Sequence, residues 1–399
     1  MKPSTTYKYN LSLTSQFYFC GIPFRLDTKP KCEFNCAYCF AMARGGRRTE
    51  TALIANKNNL KNIFSKINTP NSFGLNQELL RNRLPIHFGG MSDPFDSDES
   101  THVSLEFLKE LQKREYPTVI STKNTDVLLT DDVLNLLVNH KKLIIQISLT
   151  AFSDKFLNVL EPNVPDAEKR LLAIRKLKKL GINTTIRLQP IFPNLINDII
   201  ENLIPKINET DVDHIIFEHL KLPVERNISL IKELEEKSYW NLYKQFEEKG
   251  AKLVGREWLL PNEIKYENIN RIVQYLKPDI SYSYADYGLQ HLGKTSCCCG
   301  IDKFWDDANW FKGNIVNCIK DNLNLETFSI ELLDNYNYPS SSIKRIINSN
   351  SRLSDYNTIR DYLRQKWNSP LSINAPDHLL GISYLGKDKN SNCLYRKSV

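Results

Sequence analysis

A partial parallel (β/α)6 barrel followed by a mostly helical C-terminal extension is the architecture this chain predicts, on two observations. From about residue 20 to residue 222, short apolar runs of β type alternate with helical patterns, as successive βα units around a parallel sheet do. After Pro223 the alternation stops. The predicted division is a barrel domain over residues 1–225 and a region over 226–399 that carries further cysteines and many aromatics.

The predicted strands are Phe24–Leu26, Ile86–Gly89, Val119–Thr122, Leu143–Leu149, Thr184–Leu188 and His214–Glu218. Between them, Asp131 and Asp132 open a helix carrying Val133, Leu134, Leu136 and Leu137, with acids suited to a helix N-terminus. Asp166 likewise precedes Leu171, Ile174, Leu177 and Leu180, an apolar stripe at helical spacing that Gly181 stops. Beyond Pro223 the pattern predicts one long helix from Ser229 to Lys249, a strand over Leu253–Leu260, an irregular Tyr- and Trp-rich stretch and a helical, Asn/Ser-rich tail after Lys320.

The net charge of +7, from 53 Lys and Arg against 46 Asp and Glu, is a mild basic excess that by itself identifies no polyanionic partner. Nine cysteines and no apolar signal segment before Tyr18 predict a cytoplasmic protein whose thiols bind metal instead of forming disulfides. No apolar run approaches the ~20 residues that span a bilayer, so no membrane partner is expected.

Cys32, Cys36 and Cys39 are spaced C-x3-C-x2-C directly after the first predicted strand. Three thiolates can hold three irons of a [4Fe-4S] cube, which ordinarily takes four cysteines, and so leave one iron open. Zinc, the structural alternative, asks for four ligands, and the nearest histidine, His87, is far along the chain. The spacing, with aromatic Tyr38 directly before the last cysteine, resembles the radical S-adenosylmethionine (SAM) superfamily. That resemblance implies a SAM molecule chelated at the open iron, an electron from the cluster that cleaves its sulfonium to a 5'-deoxyadenosyl radical, and a reductant partner such as flavodoxin or ferredoxin.

In a parallel barrel the active groups stand at the C-terminal ends of the strands. That rule selects Gly89, Gly90, Met91, Ser92 and Asp93 after the second predicted strand, Lys123 after the third, Ser148 in the fourth and Arg187 in the fifth. Two adjacent glycines let the backbone approach a ligand closely, and Lys123 offers an ammonium for a carboxylate. Each has a plainer reading: Lys123 as a surface lysine, Arg187 as a structural ion-pair partner, Asp93 before Pro94 as a turn former.

Asp93-Pro-Phe-x-x-x-Glu99, Ser121-Thr-Lys-Asn124, Leu160-Glu-Pro162 and Arg187-Leu-Gln-Pro-Ile-Phe-Pro193 resemble, in order and spacing, the spore photoproduct lyase-like branch of that superfamily. The likeness covers roughly residues 20 to 220 and implies a partial TIM barrel. It also implies that Gly89-Gly90-Met91 take the place of a Gly-Gly-Glu segment at the SAM amino group, with Ser92, Asp93, Lys123 and Ser148 around SAM or substrate. The branch's hydrogen-donating cysteine, two residues before the Ser-Asp pair, is Gly90 here, so thymine-dimer repair is in doubt while SAM radical generation is not.

Cys297, Cys298 and Cys299, with Cys318 downstream, lie outside that likeness. Two of the three with Cys318, and Cys20 or Cys393 as a fourth, are candidates for a second iron–sulfur cluster or zinc; alternatively one of the three is a replacement thiol hydrogen donor, or all are buried apolar residues. Tyr282, Tyr284, Tyr287, Trp305, Trp310 and Phe311, interleaved with Arg256, Lys294, Lys303 and Lys312, are suited to stack bases and touch phosphates, or to form the core of a small domain. Lys344, Arg345, Arg352, Arg360, Arg364 and Lys366, with Tyr356, Tyr362 and Trp367, are a second basic stretch. The expected function is a radical SAM enzyme acting on nucleic acid. The alternatives are radical modification of a peptide with an auxiliary cluster, and a non-catalytic nucleic-acid-binding protein with an iron–sulfur or zinc site.

Overall fold

The computed structural model describes residues 6–397 except 9, 40, 42–52, 70–73, 226–228, 308, 345–354 and 374. Arg345 and Arg352 of the predicted basic stretch lie outside the described residues.

An eight-stranded sheet is the frame, and its strands are neighbours in chain order: β1 Leu11–Leu13, β2 Phe24–Leu26, β3 Ile86–Phe88, β4 Thr118–Thr122, β5 Leu143–Leu149, β6 Asn183–Ile191, β7 His214–His219 and β8 Ser281–Tyr284. All six predicted strands are present. Pairings β4 with β5, β5 with β6 and β6 with β7 are parallel, in registers such as Ser121 against Gln146 and Ser148 against Arg187. Every residue of β5 is buried, as in a strand covered on both faces. This is the mixed α/β, largely parallel, partial TIM-barrel arrangement. The two strands missing from the prediction are the sheet's ends: β1 is three residues long, and β8 reads Ser-Tyr-Ser-Tyr inside a stretch whose aromatics masked its alternation.

The covering helices start where their caps are. In α1, Asp98–Lys113, the Ser97 side chain accepts the Ser100 amide and Asp98 and Glu99 fill the first turn. Helix α2, Asp131–Val138, buries Val133 and Leu137. Helix α3, Ala167–Lys179, is capped by Asp166, which accepts the Lys169 amide at 2.7 Å, and ends before Gly181 at φ 77°.

Three expectations for the C-terminal half are corrected. The single helix over Ser229–Lys249 is two, α4 Ser229–Ser238 and α5 Leu242–Glu248, because Tyr239 takes φ 58° and the Asn241 side chain caps the new start at Leu242 by accepting the Lys244 amide. The strand over Leu253–Leu260 is a hairpin, Lys252–Val254 against Glu257–Leu259, turned at Gly255 with φ 66°. The tail is not helical throughout: Thr327–Phe328, Ser383–Lys387 and Cys393–Arg396 form a three-stranded antiparallel sheet.

The chain forms two compact units. The first contains residues 1–11, 25–60 and 87–282, and the second 12–24, 61–86 and 283–399. Among the described residues no helix is long and apolar enough to cross a membrane.

Candidate active site

The first unit carries the cysteine triad, the strand-end residues and the groups that tie them together. Strand β2 runs into Asp27, Thr28 and Lys29, all buried. The Asp27 carboxylate accepts the amides of Met91 at 2.7 Å and Ser92 at 3.1 Å, and the Ser92 hydroxyl donates to the Lys29 carbonyl at 2.8 Å. These bonds clamp the glycine segment after β3 to the root of the cysteine loop. Burial pushes the Asp27 carboxyl up, against the pull of those amides. The Met91 and Ser92 amides are therefore occupied by the chain itself.

The loop has two further attachments. The Lys29 ammonium meets Glu33 and the Ser97 hydroxyl, the latter at 2.7 Å, and the Glu33 amide donates to Asp96 at 2.7 Å. On the other side the Ala37 amide donates to the Leu160 carbonyl at 3.0 Å and the Asn163 amide to the Phe34 carbonyl at 3.3 Å. The segment Leu160-Glu-Pro162 is thus a dock for the cysteine loop. All three thiols are free; Cys36 is buried and Cys32 and Cys39 half-buried. Burial drives the Cys36 thiol up to about 12, and Lys123 counters it.

A charged network lies beneath Cys36. Glu161 and Arg170 are ion-paired at 2.6 Å with both side chains fully buried. Glu161 also accepts the Tyr38 hydroxyl and that of Thr150, the latter at 3.1 Å, and stands 4.0 Å from the Lys123 ammonium. Lys123 lies 5.7 Å from the centroid of the Tyr38 ring. Burial opposes charge on Lys123, but Cys36 and Glu161 hold its ammonium above the ordinary range. The remaining Arg170 donors reach the carbonyls of Pro165 at 2.7 Å and Ser148 at 2.8 Å. Lys123 is therefore no surface lysine.

Asp93 has a full set of partners. It accepts the Phe95 amide at 3.0 Å, the Thr122 hydroxyl at 2.8 Å and the Lys123 amide at 2.7 Å, which joins the loop after β3 to the end of β4. Burial raises its carboxyl to about 6, above its value in the unfolded chain, so the folded state binds the extra proton between about pH 4 and 6. Stability is accordingly expected to decline as pH rises through that window, and Asp93→Asn to remove this component of the slope; unfolding midpoints from pH 4 to 7 check it.

Sequence reasoning missed Asp27, Thr150 and Arg170 and gave Glu161 no role. Arg170 was readable: it occupies a position of the apolar stripe, four residues before Ile174 and seven before Leu177, where a charge signals a buried partner. Among the described residues Arg187 forms no ion pair with an acid; it donates to Gln189 at 2.9 Å and to Ser121 at 3.3 Å.

In the second unit, Cys298 and Cys299 have their sulfurs 4.0 Å apart, and against the pull of Cys298 the neighbouring Cys299 and burial push the Cys297 thiol up. Cys318 neighbours Tyr336 and Tyr338 electrostatically, and the Cys393 carbonyl accepts the Trp367 indole N–H at 2.9 Å. Among the described residues no three His, Cys, Asp or Glu side chains converge on one point, the triad included, so a single zinc ion finds no support, and nothing in the structure supports a second cluster. The base-stacking expectation is corrected for most of its aromatics. Tyr284, Trp305, Trp310, Phe311, Tyr362 and Trp367 are buried, Phe311 packs edge-on to Phe17 at 5.2 Å, and these side chains are core. Arg360 and Arg364 both reach Asp334, which partly neutralises that basic stretch.

Comparison with known proteins agrees with the cysteine loop. Residues 27–204 match the Radical SAM superfamily. An uncharacterized protein, ORF301, of Acidianus two-tailed virus is 31% identical over 100 residues, a match covering 24% of this chain and 33% of that protein's length. Among solved structures, spore photoproduct lyase complexed with dinucleoside spore photoproduct aligns at TM-score 0.49 and 16% identity over 70% of this chain and 79% of that one. Streptococcus suis SuiB bound to S-adenosylmethionine aligns at 0.43 and 12% over 68% and 52%.

Proposed function

Because residues 27–204 are a radical SAM domain and the chain is thus a radical SAM enzyme, we propose that Cys32, Cys36 and Cys39 hold a [4Fe-4S] cluster beside a bound SAM. The observation that carries this reading is one loop bearing three free thiols after β2, clamped by Asp27 on one side and docked on Leu160 on the other. A single ion asks its ligands to converge on one point, whereas a cube gives each thiol its own iron. The donor set fits the cube. When bound, the cluster supplies the electron that cleaves SAM.

The chain's own residues do the rest. Lys123, held charged between Cys36 and Glu161, favours the Cys36 thiolate and offers its ammonium to the SAM carboxylate. Tyr38, bonded to Glu161 and packed edge-on to Phe192 at 5.8 Å, stiffens the loop between the second and third cysteines. Gly89 and Gly90 bring the backbone after β3 close to SAM, and Ser92, Asp93 and Ser148 shape that wall. The burial of Cys36 and of the Glu161–Arg170 pair keeps water from that side of the reducing centre.

The substrate class we assign is nucleic acid, supported by the four motifs from Asp93 to Pro193 and by the basic excess. Residues 226–399 are assigned the selection of substrate. At Gly90, an added Cβ would stand 3.0 Å from Arg25 Cδ, so Arg25 fills the place where the resembled lyases carry a thiol. Hydrogen return in a dimer-repair sense is therefore not assigned to this position, and Cys297, Cys298 and Cys299 remain the candidate donors.

The test is anaerobic reconstitution with iron and sulfide, then SAM and dithionite, with 5'-deoxyadenosine measured by mass spectrometry. Product is expected from the wild type and only background from Cys36→Ala. No product and no SAM binding by the wild type would sink the assignment.

A further inference from the structure

A polar layer crosses the interior of four adjacent strands and is used by nothing described so far. Strand β3 turns Ile86 and Phe88, both fully buried, to one face and His87 to the other; β6 does the same with Ile186 and Leu188 against Arg187. His87 Nε2 meets Ser121 Oγ at 2.7 Å, Ser121 Oγ donates to Gln146 Oε1 at 2.9 Å, and Arg187 Nη1 donates to Ser121 Oγ at 3.3 Å. Four strands thus contribute one side chain each to a single connected cluster.

The hydrogen-bond bookkeeping has one sign. The Ser121 proton goes to the Gln146 carbonyl oxygen, which can only accept, so Ser121 receives both Arg187 and the Nε2–H of His87. Gln146 is fully buried, and its amide nitrogen has no partner. A buried unpaired donor is costly, about 1–3 kcal/mol. Of the five guanidinium N–H groups two are used, toward Gln189 and Ser121, and among the described residues no carboxylate pairs with Arg187. What the layer still offers is donors and an uncompensated positive charge, and the group that complements both is an anionic oxygen group met by the planar guanidinium fork.

We propose that the layer of His87, Ser121, Gln146 and Arg187 is a substrate subsite that binds a phosphate group of a nucleotide, with Arg187 as its anchor and Gln146 as its second donor. The proposal rests on the radical SAM reading for the choice of nucleotide over other anions. It separates Arg187 from SAM, whose carboxylate is assigned to Lys123.

The experiment uses reconstituted full-length protein under anaerobic conditions and titrates thymidine 5'-monophosphate, thymidine and SAM by calorimetry. The monophosphate is expected to bind the wild type about tenfold or more tighter than thymidine, and Arg187→Gln to abolish that difference while Arg187→Lys restores part of it. Should Arg187→Gln not fold, Gln146→Glu carries the test: an isosteric carboxylate beside Ser121 neutralises the subsite and is expected to erase the same difference with the melting temperature retained. Equal affinity of the wild type for both nucleosides overturns the proposal. A loss of SAM affinity in Arg187→Gln as large as the loss for the monophosphate also overturns it, since Arg187 would then be a SAM ligand. Failure of the radical SAM reading shows separately, as a wild type that neither binds SAM nor forms 5'-deoxyadenosine.

Discussion

Glu161→Ala is expected to destabilise the protein by about 3–5 kcal/mol, the range for leaving one partner of a buried ion pair uncompensated. Arg170 would keep its charge inside the fold with the 2.6 Å carboxylate gone, since both side chains are fully buried. The same substitution removes the acceptor for Tyr38 and Thr150 and the nearest negative charge to Lys123. Two readouts are therefore expected to move together: the melting temperature, by roughly 5 °C, and 5'-deoxyadenosine formation, toward background. Glu161→Gln keeps the shape and an acceptor for Tyr38 and is expected to fall between. Burial opposes ionisation of Glu161, but Arg170 and then Lys123 prevail and hold its carboxyl below the usual range. A carboxyl lowered by folding contributes stability that is fully present above about pH 4.5 and is lost as pH falls through its folded value. Acid unfolding of Glu161→Gln should lack that component; an unchanged acid profile and a small thermal shift would show the pair to be energetically idle.

Gly89→Ala is the second large effect, and it comes from the backbone. Gly89 has φ 89°, and an added Cβ would lie 2.3 Å from the Ser121 carbonyl oxygen and 2.8 Å from Pro94 Cδ. Left-handed backbone costs a side-chain-bearing residue about 1–2 kcal/mol, and the carbonyl is part of β4 and cannot rotate away. The total is expected to reach about 3 kcal/mol or more, the range of strain and overpacking combined. The carbonyl that must move precedes Thr122 and Lys123, two of the residues bonded to Asp93, so SAM affinity is expected to fall with stability. Gly90→Ala is the control: its Cβ would meet only Arg25 Cδ at 3.0 Å and Cγ at 3.2 Å, part of a flexible side chain. A denaturant titration in which both glycine variants behaved alike would contradict this account.

The barrel strands were legible because each is a short, β-branched apolar run bounded by turn or cap residues, and Leu143–Leu149 is the plainest case. The end strands and the break at Tyr239 were not, because three residues carry no period and a helical stripe continues across a single left-handed residue. Among site residues, the triad was legible from spacing alone. Arg170 was legible only as an anomaly in an apolar stripe, and Gln146 as a polar residue inside a buried strand.

Residue type and spacing alone set the chemistry that the chain can carry: three thiols on one loop, glycines after the second predicted strand and a lysine after the third. Those are covalent facts of residue type and spacing, independent of what lies across the sheet. What each polar group faces is set by the fold. It made Asp93 a brace between two strand ends as well as a turn residue before Pro94, and it set Lys123, with surface lysine as its plainer reading, between Cys36 and Glu161. It also buried most of the aromatic residues that offered a base-stacking surface. The reason is that charge and hydrogen-bonding capacity are read in pairs, and the partners come from strands and helices tens of residues apart, which the parallel register alone brings within contact.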